Sequence, residues 1–82
     1  MIKQQELMAN YLKDTTLIIK ELALSAKKEA KDTKGTEDQD YKLGVAFGFY
    51  WVISVMQQQA EAFGIPLKDL NLDDIDADKD LM

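Results

Sequence analysis

The sequence predicts an all-α protein: an antiparallel helical hairpin of two long helices, about residues 2–32 and 37–63, with an acidic carboxy-terminal tail, two such hairpins pairing into a four-helix bundle. Three observations carry this expectation. Apolar residues recur at helical spacing through both halves of the chain. Gly35 and the Gly64-Ile65-Pro66 step punctuate them. Leu43 to Met56 is a run of fourteen residues without a formal charge, too short to cross a bilayer and too apolar for a helix with a single buried side.

In the first helix, Met8, Tyr11, Leu12, Thr15, Ile18, Ile19, Leu22, Ala26 and Ala30 fall on one stripe with mostly charged positions opposite. Leu17 and Leu24 are the two leucines on that charged side. Lys27, Lys28, Lys31 and Lys34 complement the negative end of the helix dipole. Gly35 then supplies the left-handed residue that closes a helix.

Thr36-Glu37-Asp38-Gln39 has the form of a capping box, and Glu37, Asp38 and Asp40 suit the positive dipole end of a second helix. On that helix Tyr41, Val45, Phe49, Val52, Met56, Ala60 and Phe63 form the stripe expected to face the first helix. Leu43, Phe47, Tyr50 and Trp51 project elsewhere and give it a second apolar side, which one partner helix does not cover. Gly44 and Gly48 are one turn apart; each costs about 1 kcal/mol relative to alanine inside a helix, so the pair suggests a close helix crossing. The expected interface between copies is therefore Leu43, Gly44, Phe47, Gly48, Tyr50, Trp51 and Val55. Of the three glutamines Gln57, Gln58 and Gln59, the last is nearest the expected core.

Residues 1–64 form the hairpin and residues 65–82 the tail. Pro66 starts one helical turn through Leu70; beyond it lies an extended strap whose leucines and isoleucine pack on the bundle with the aspartates in water, the last residues being in part disordered. Asp74, Asp76 and Asp78 alternate as in the start of a calcium loop, but Lys79 stands where such a loop needs glycine, and no glutamate completes it. Asp73, Asp74, Asp76, Asp78 and Asp80 are instead a candidate acidic surface for a basic partner.

Composition narrows the function classes. The chain has no cysteine and no histidine, and all ten of its basic residues are lysine. Disulfides, thiolate metal sites and the commonest general base are thereby absent, and no cofactor or metal site is expected. Net charge is -5, distributed as +2 over residues 1–34 and -7 over residues 35–82, which disfavours nucleic acid and anionic membranes as partners. The amino terminus lacks the apolar core of a signal peptide, so a cytoplasmic protein is expected. The leading expectation is a non-enzymatic interaction or adaptor module that self-associates, with another protein as the other possible partner. An acidic inhibitor or antitoxin-like protein and a small apolar-ligand carrier are the alternatives.

Overall fold

The protein is described by a computed structural model over residues 3–82. Its elements are α1 (Gln4–Asp32), α2 (Gln39–Ala62), a 3-10 turn (Leu67–Leu70) and a short α3 (Ala77–Asp80), with no strand among the described residues. The two long helices pack against one another as a hairpin. The expected start at residue 2 lies outside the described residues.

The helix ends follow from local chemistry. Thr33 closes α1, its hydroxyl donating to the carbonyls of Glu29 and Ala30 at 3.0 and 3.1 Å, and Gly35 turns the chain at φ +84°. The capping box expected at Thr36 and Gln39 does not form. The Thr36 hydroxyl donates back to the Thr33 carbonyl, and the Gln39 side chain accepts from the Gly35 N–H. Asp38 therefore precedes α2, which starts two residues later than the sequence predicts. At the other end Gly64, at φ +71°, makes the left-handed closure. The Ile65 N–H reaches the Ala60 carbonyl at 2.8 Å and the Gly64 N–H reaches Glu61 at 3.1 Å, the paired bonds of a Schellman ending.

The seam between the helices follows the expected stripes only in part: Ala26, Ala30 and Ala60 are buried, and Ile19, Phe49 and Met56 pack against the core, as expected. On α1 the buried positions are Thr16, Lys20, Ala23, Ala26 and Ala30; on α2 they are Ala46, Ile53 and Ala60. Met8, Tyr11, Leu12, Ile18 and Leu22, expected in the core, are exposed, as are Tyr41, Val45, Val52 and Phe63. Small residues at the seam let the helices approach, and the large residues flank it. The physical reason is the tail, which fills a groove between the helices and draws a different side of each helix inward.

From the 3-10 turn onward the tail crosses the foot of α1 and runs back along the hairpin. Leu72, Ile75, Ala77 and Leu81 join Ala23 and Ile53 in the main core cluster. The Asn71 amide donates to the Lys13 carbonyl, Lys20 donates to Asp74 at 2.7 Å, and Lys27 donates to the Met82 carbonyl at 2.8 Å. The strap is thus packed to its last residues, where the sequence suggests partial disorder. From α2, the Gln57 amide donates to the carbonyls of Leu72 and Ile75 at 3.2 and 2.9 Å, satisfying backbone groups in a segment with no ladder of its own. Gln57, not Gln59, is the inward glutamine. The strap also contains a helix where the sequence predicts extended chain. The Asp76 side chain accepts from the N–H groups of Asp78 and Lys79 to start α3, and Asp80 accepts from the Asp76 N–H.

Candidate functional site

The strap covers one side of the hairpin only, and helical geometry fixes which residues lie on the other. Lys13, Lys20 and Lys27, seven apart, mark the strap side of α1; Tyr50 and Gln57, seven apart, mark it on α2. Because the helices are antiparallel, turning the same angular way from both seams leads to the same side of the molecule. On the side away from the strap, α1 therefore presents Met8, Tyr11, Thr15, Ile18 and Leu22. Beside them α2 presents Tyr41, Val45, Gly48, Val52, Val55, Gln59 and Phe63. None of these twelve residues carries a charge, and Tyr41 and Phe63 are 71% and 76% exposed; toward the turn, Glu29 lies on the same side of α1 and pairs with Lys42 of α2 at 3.1 Å. The exposed members of the two stripes expected to face one another lie side by side as one apolar surface, while Ala26, Ala30 and Ala60 stay in the seam.

The dimensions agree. The Cα extents are 53 × 25 × 16 Å and the radius of gyration is 14.7 Å, against about 12 Å for a compact chain of this length. The accessible surface is 6173 Å², whereas a compact monomer of 9.3 kDa has about 5,000 Å². The excess of about 1,200 Å² is polar and apolar surface together and goes with the 53 Å length of the molecule.

The residues singled out from sequence divide between two places. Gly48 and Val55 are on the flat apolar surface, and Gly44 is at its outer margin. A Cβ added at either glycine would meet nothing within 4 Å, so no helix crosses there within the chain. Leu43, Phe47, Tyr50 and Trp51 lie on the outer and strap sides of α2. Phe47, Tyr50 and Trp51 form a cluster with centroids 5.6 to 6.0 Å apart. Tyr50 is half-buried and donates its hydroxyl to Asp78 at 2.7 Å. That hydrogen bond, with partial burial and the nearby negative charge, raises the Tyr50 pKa above the ordinary phenol value. Leu43, Phe47 and Trp51 stay exposed. Leu17 is half-buried and Leu24 exposed.

The acidic candidates are largely occupied by the fold. Asp74 is bound to Lys20, and that hydrogen bond holds its carboxyl below the usual carboxylate range, against an opposing effect of desolvation. Asp76 caps α3, Asp78 accepts from Tyr50, and Asp80 accepts from the Asp76 N–H; Asp73 is exposed. With Glu61 these residues line a broad open groove of about 960 Å³ in which Lys79 is the sole basic side chain. Among the described residues no three acidic, histidine or cysteine side chains converge to hold a metal ion, and no helix is long and apolar enough to cross a membrane.

Sequence reasoning missed two residues. Lys20 is 8% exposed although it interrupts no visible apolar stripe. Thr16 is 1% exposed, and its hydroxyl has no hydrogen-bond partner. The Lys13, Lys20, Lys27 spacing was the available signal for the strap side: along that line the strap meets the Lys13 carbonyl through Asn71, the Lys20 ammonium through Asp74 and the Lys27 ammonium through the Met82 carbonyl. Comparison of the chain with protein-family models, with curated proteins and with solved structures finds no match in any of the three.

Proposed function

We propose that the protein is a non-enzymatic, self-associating interaction module whose docking surface is the flat apolar side of the hairpin opposite the strap. The observation that carries this reading is the exposed apolar surface shared by Ile18 and Leu22 of α1 and Val45, Val52 and Val55 of α2. A monomeric soluble chain rarely leaves so large a continuous apolar area in water. A second copy offers the same flat apolar side in return, which is the requirement of a two-fold contact, and the product is a four-helix bundle with a strap on each outer face. Gly48 leaves room there for a helix of the second copy to approach closely.

The proposed contact keeps Gly48 and Val55 of the expected interface and adds Val52, while Tyr50 is committed to the strap and Leu43, Phe47 and Trp51 stay exposed outside it. Val52→Asp and Ile18→Asp place carboxylates in the centre of the surface without touching the core. Sedimentation equilibrium of the wild type at tens of micromolar is expected to give twice the chain mass, and each variant the chain mass with unchanged helix content. Dimers that persist in both variants would place the contact elsewhere.

A further inference from the structure

At the foot of the hairpin, where α1 begins and α2 ends, the flat surface sinks into an open depression of about 190 Å³. Leu12 of α1, Met56 and Ala60 of α2, and Ile65 and Leu70 beyond them line it, and no lining residue is charged. An apolar protein cavity of about 150 Å³ takes one benzene, so 190 Å³ has room for one phenyl ring. At its edge stands Phe63, the most exposed large apolar side chain among the described residues. A hole of ring size and an unburied ring thus occur at one level of the same surface, the hole reaching across to α1 and the ring on α2.

The other end of the surface differs. Near the turn, where Ala30 and Ala46 pack together, Glu29 pairs with Lys42 at 3.1 Å, whereas Met8, Tyr11, Leu12 and Phe63 at the foot carry no charge. Two two-fold arrangements bring the flat side of one copy against that of another. With the axis across the hairpin, the turn of each copy lies on the foot of the other, and the Glu29 and Lys42 charges lose water against Tyr11 and Leu12, a costly desolvation. With the axis along the hairpin, foot meets foot and turn meets turn. The ion pairs then stay together at one end, α2 of each copy lies over α1 of the other, and each Phe63 comes over the other copy's Leu12.

We propose that the second copy docks foot to foot, the Phe63 ring of each copy filling the depression of the other. The inference rests on the apolar docking surface proposed above and adds the orientation of the pair and the side chain that fixes it. Because ring and hole lie at one level on opposite helices, a single two-fold operation seats both rings. Ile18 and Leu22 then run along Val52 and Val55 of the other copy, at the levels set by Ala23 beside Ile53.

The chain has no cysteine, so a spin label at Lys34→Cys, in the exposed turn, reports one distance per pair. Foot-to-foot docking puts the two labels about 20–30 Å apart, the reach of two stacked helix layers; crosswise docking puts them near the 53 Å length of the molecule. Isotope-filtered NMR of mixed labelled and unlabelled protein is expected to show contacts from the Phe63 ring of one copy to the Leu12 methyl groups of the other. Phe63→Ala, which removes two rings per pair from an exposed site, is expected to weaken self-association about a hundredfold or more with helix content unchanged. A label distance near the full length, ring contacts confined to one copy, or association unaffected by Phe63→Ala overturns the proposal while leaving the docking surface standing. A wild type that sediments as a single chain overturns both.

Discussion

Lys20 Nζ and Asp74 Oδ1 meet at 2.7 Å across 54 residues of sequence, and the two ends of that pair sit in different surroundings. The Lys20 side chain is 10% exposed and the Asp74 side chain 69%. Asp74→Asn leaves an ammonium with little access to water, whereas Lys20→Met leaves a carboxylate that water solvates freely. The expected outcome is an asymmetry in urea denaturation. Asp74→Asn lowers the midpoint, and Lys20→Met leaves it unchanged or raises it. Equal losses from both would show that the pair acts symmetrically.

The pair also contributes to the acid limb of stability. The Asp74 carboxyl is held below its ordinary value by Lys20, so its contribution is complete above the unfolded pKa of about 4. It is lost as pH falls through the lower folded value. Asp74→Asn removes this share of the acid dependence, which urea midpoints between neutral pH and about pH 2.5 would reveal as a shallower decline. Tyr50 acts in the other direction: its raised pKa gives a contribution complete below about pH 10 and lost as pH rises through the folded value. Tyr50→Phe is expected to flatten the alkaline limb and leave the acid limb alone.

The strap is part of the core, not an appendage. Leu72 and Leu81 are as fully buried as Ile53, and the seam itself is mostly alanine, which supplies little apolar area. Leu72→Ala and Leu81→Ala are each expected to cost about 2–5 kcal/mol, the range for a buried leucine, with loss of helix content measured by circular dichroism as the chain unfolds. A loss under about 0.5 kcal/mol, typical of a surface site, would mean that the hairpin holds together without its tail.

The hairpin is legible in the sequence because its signals are local. Gly35 and Gly64 turn the chain where a left-handed residue is expected, and Pro66 precedes a single turn. The rotation of the seam is not legible, because Met8, Ile18 and Leu22 satisfy the periodicity of a core stripe whether another helix covers them within the chain or between chains. What decides the matter is the strap, and its contribution is divided among Lys20, Gln57 and Tyr50, which read singly as surface residues. The short α3 is hidden because alternating aspartates suggest a cation loop; an aspartate three residues before lysine and four before aspartate is equally a helix cap.

Gly48 separates the energetics of the chain from those of its contact. With open space around its Cα, Gly48→Ala is expected to raise the stability of a monomeric background such as Val52→Asp by about 1 kcal/mol through helix propensity. Gly48→Leu in the otherwise unaltered chain is expected to leave helix content intact while weakening self-association by overpacking the approach. Thermal melts and concentration-dependent sedimentation give the two readouts. Self-association untouched by Gly48→Leu would remove α2 from the proposed contact at that point.

Sedimentation equilibrium of the wild-type chain across about 1 to 100 µM, concentrations that bracket a micromolar dissociation constant, tests the central claim most directly. The expected result is a mass that rises to twice 9.3 kDa and falls back to the single-chain value in Val52→Asp. A mass that stays at 9.3 kDa throughout would contradict it, and would mean that the side bearing Ile18, Leu22 and Val52 remains in water or awaits a different protein.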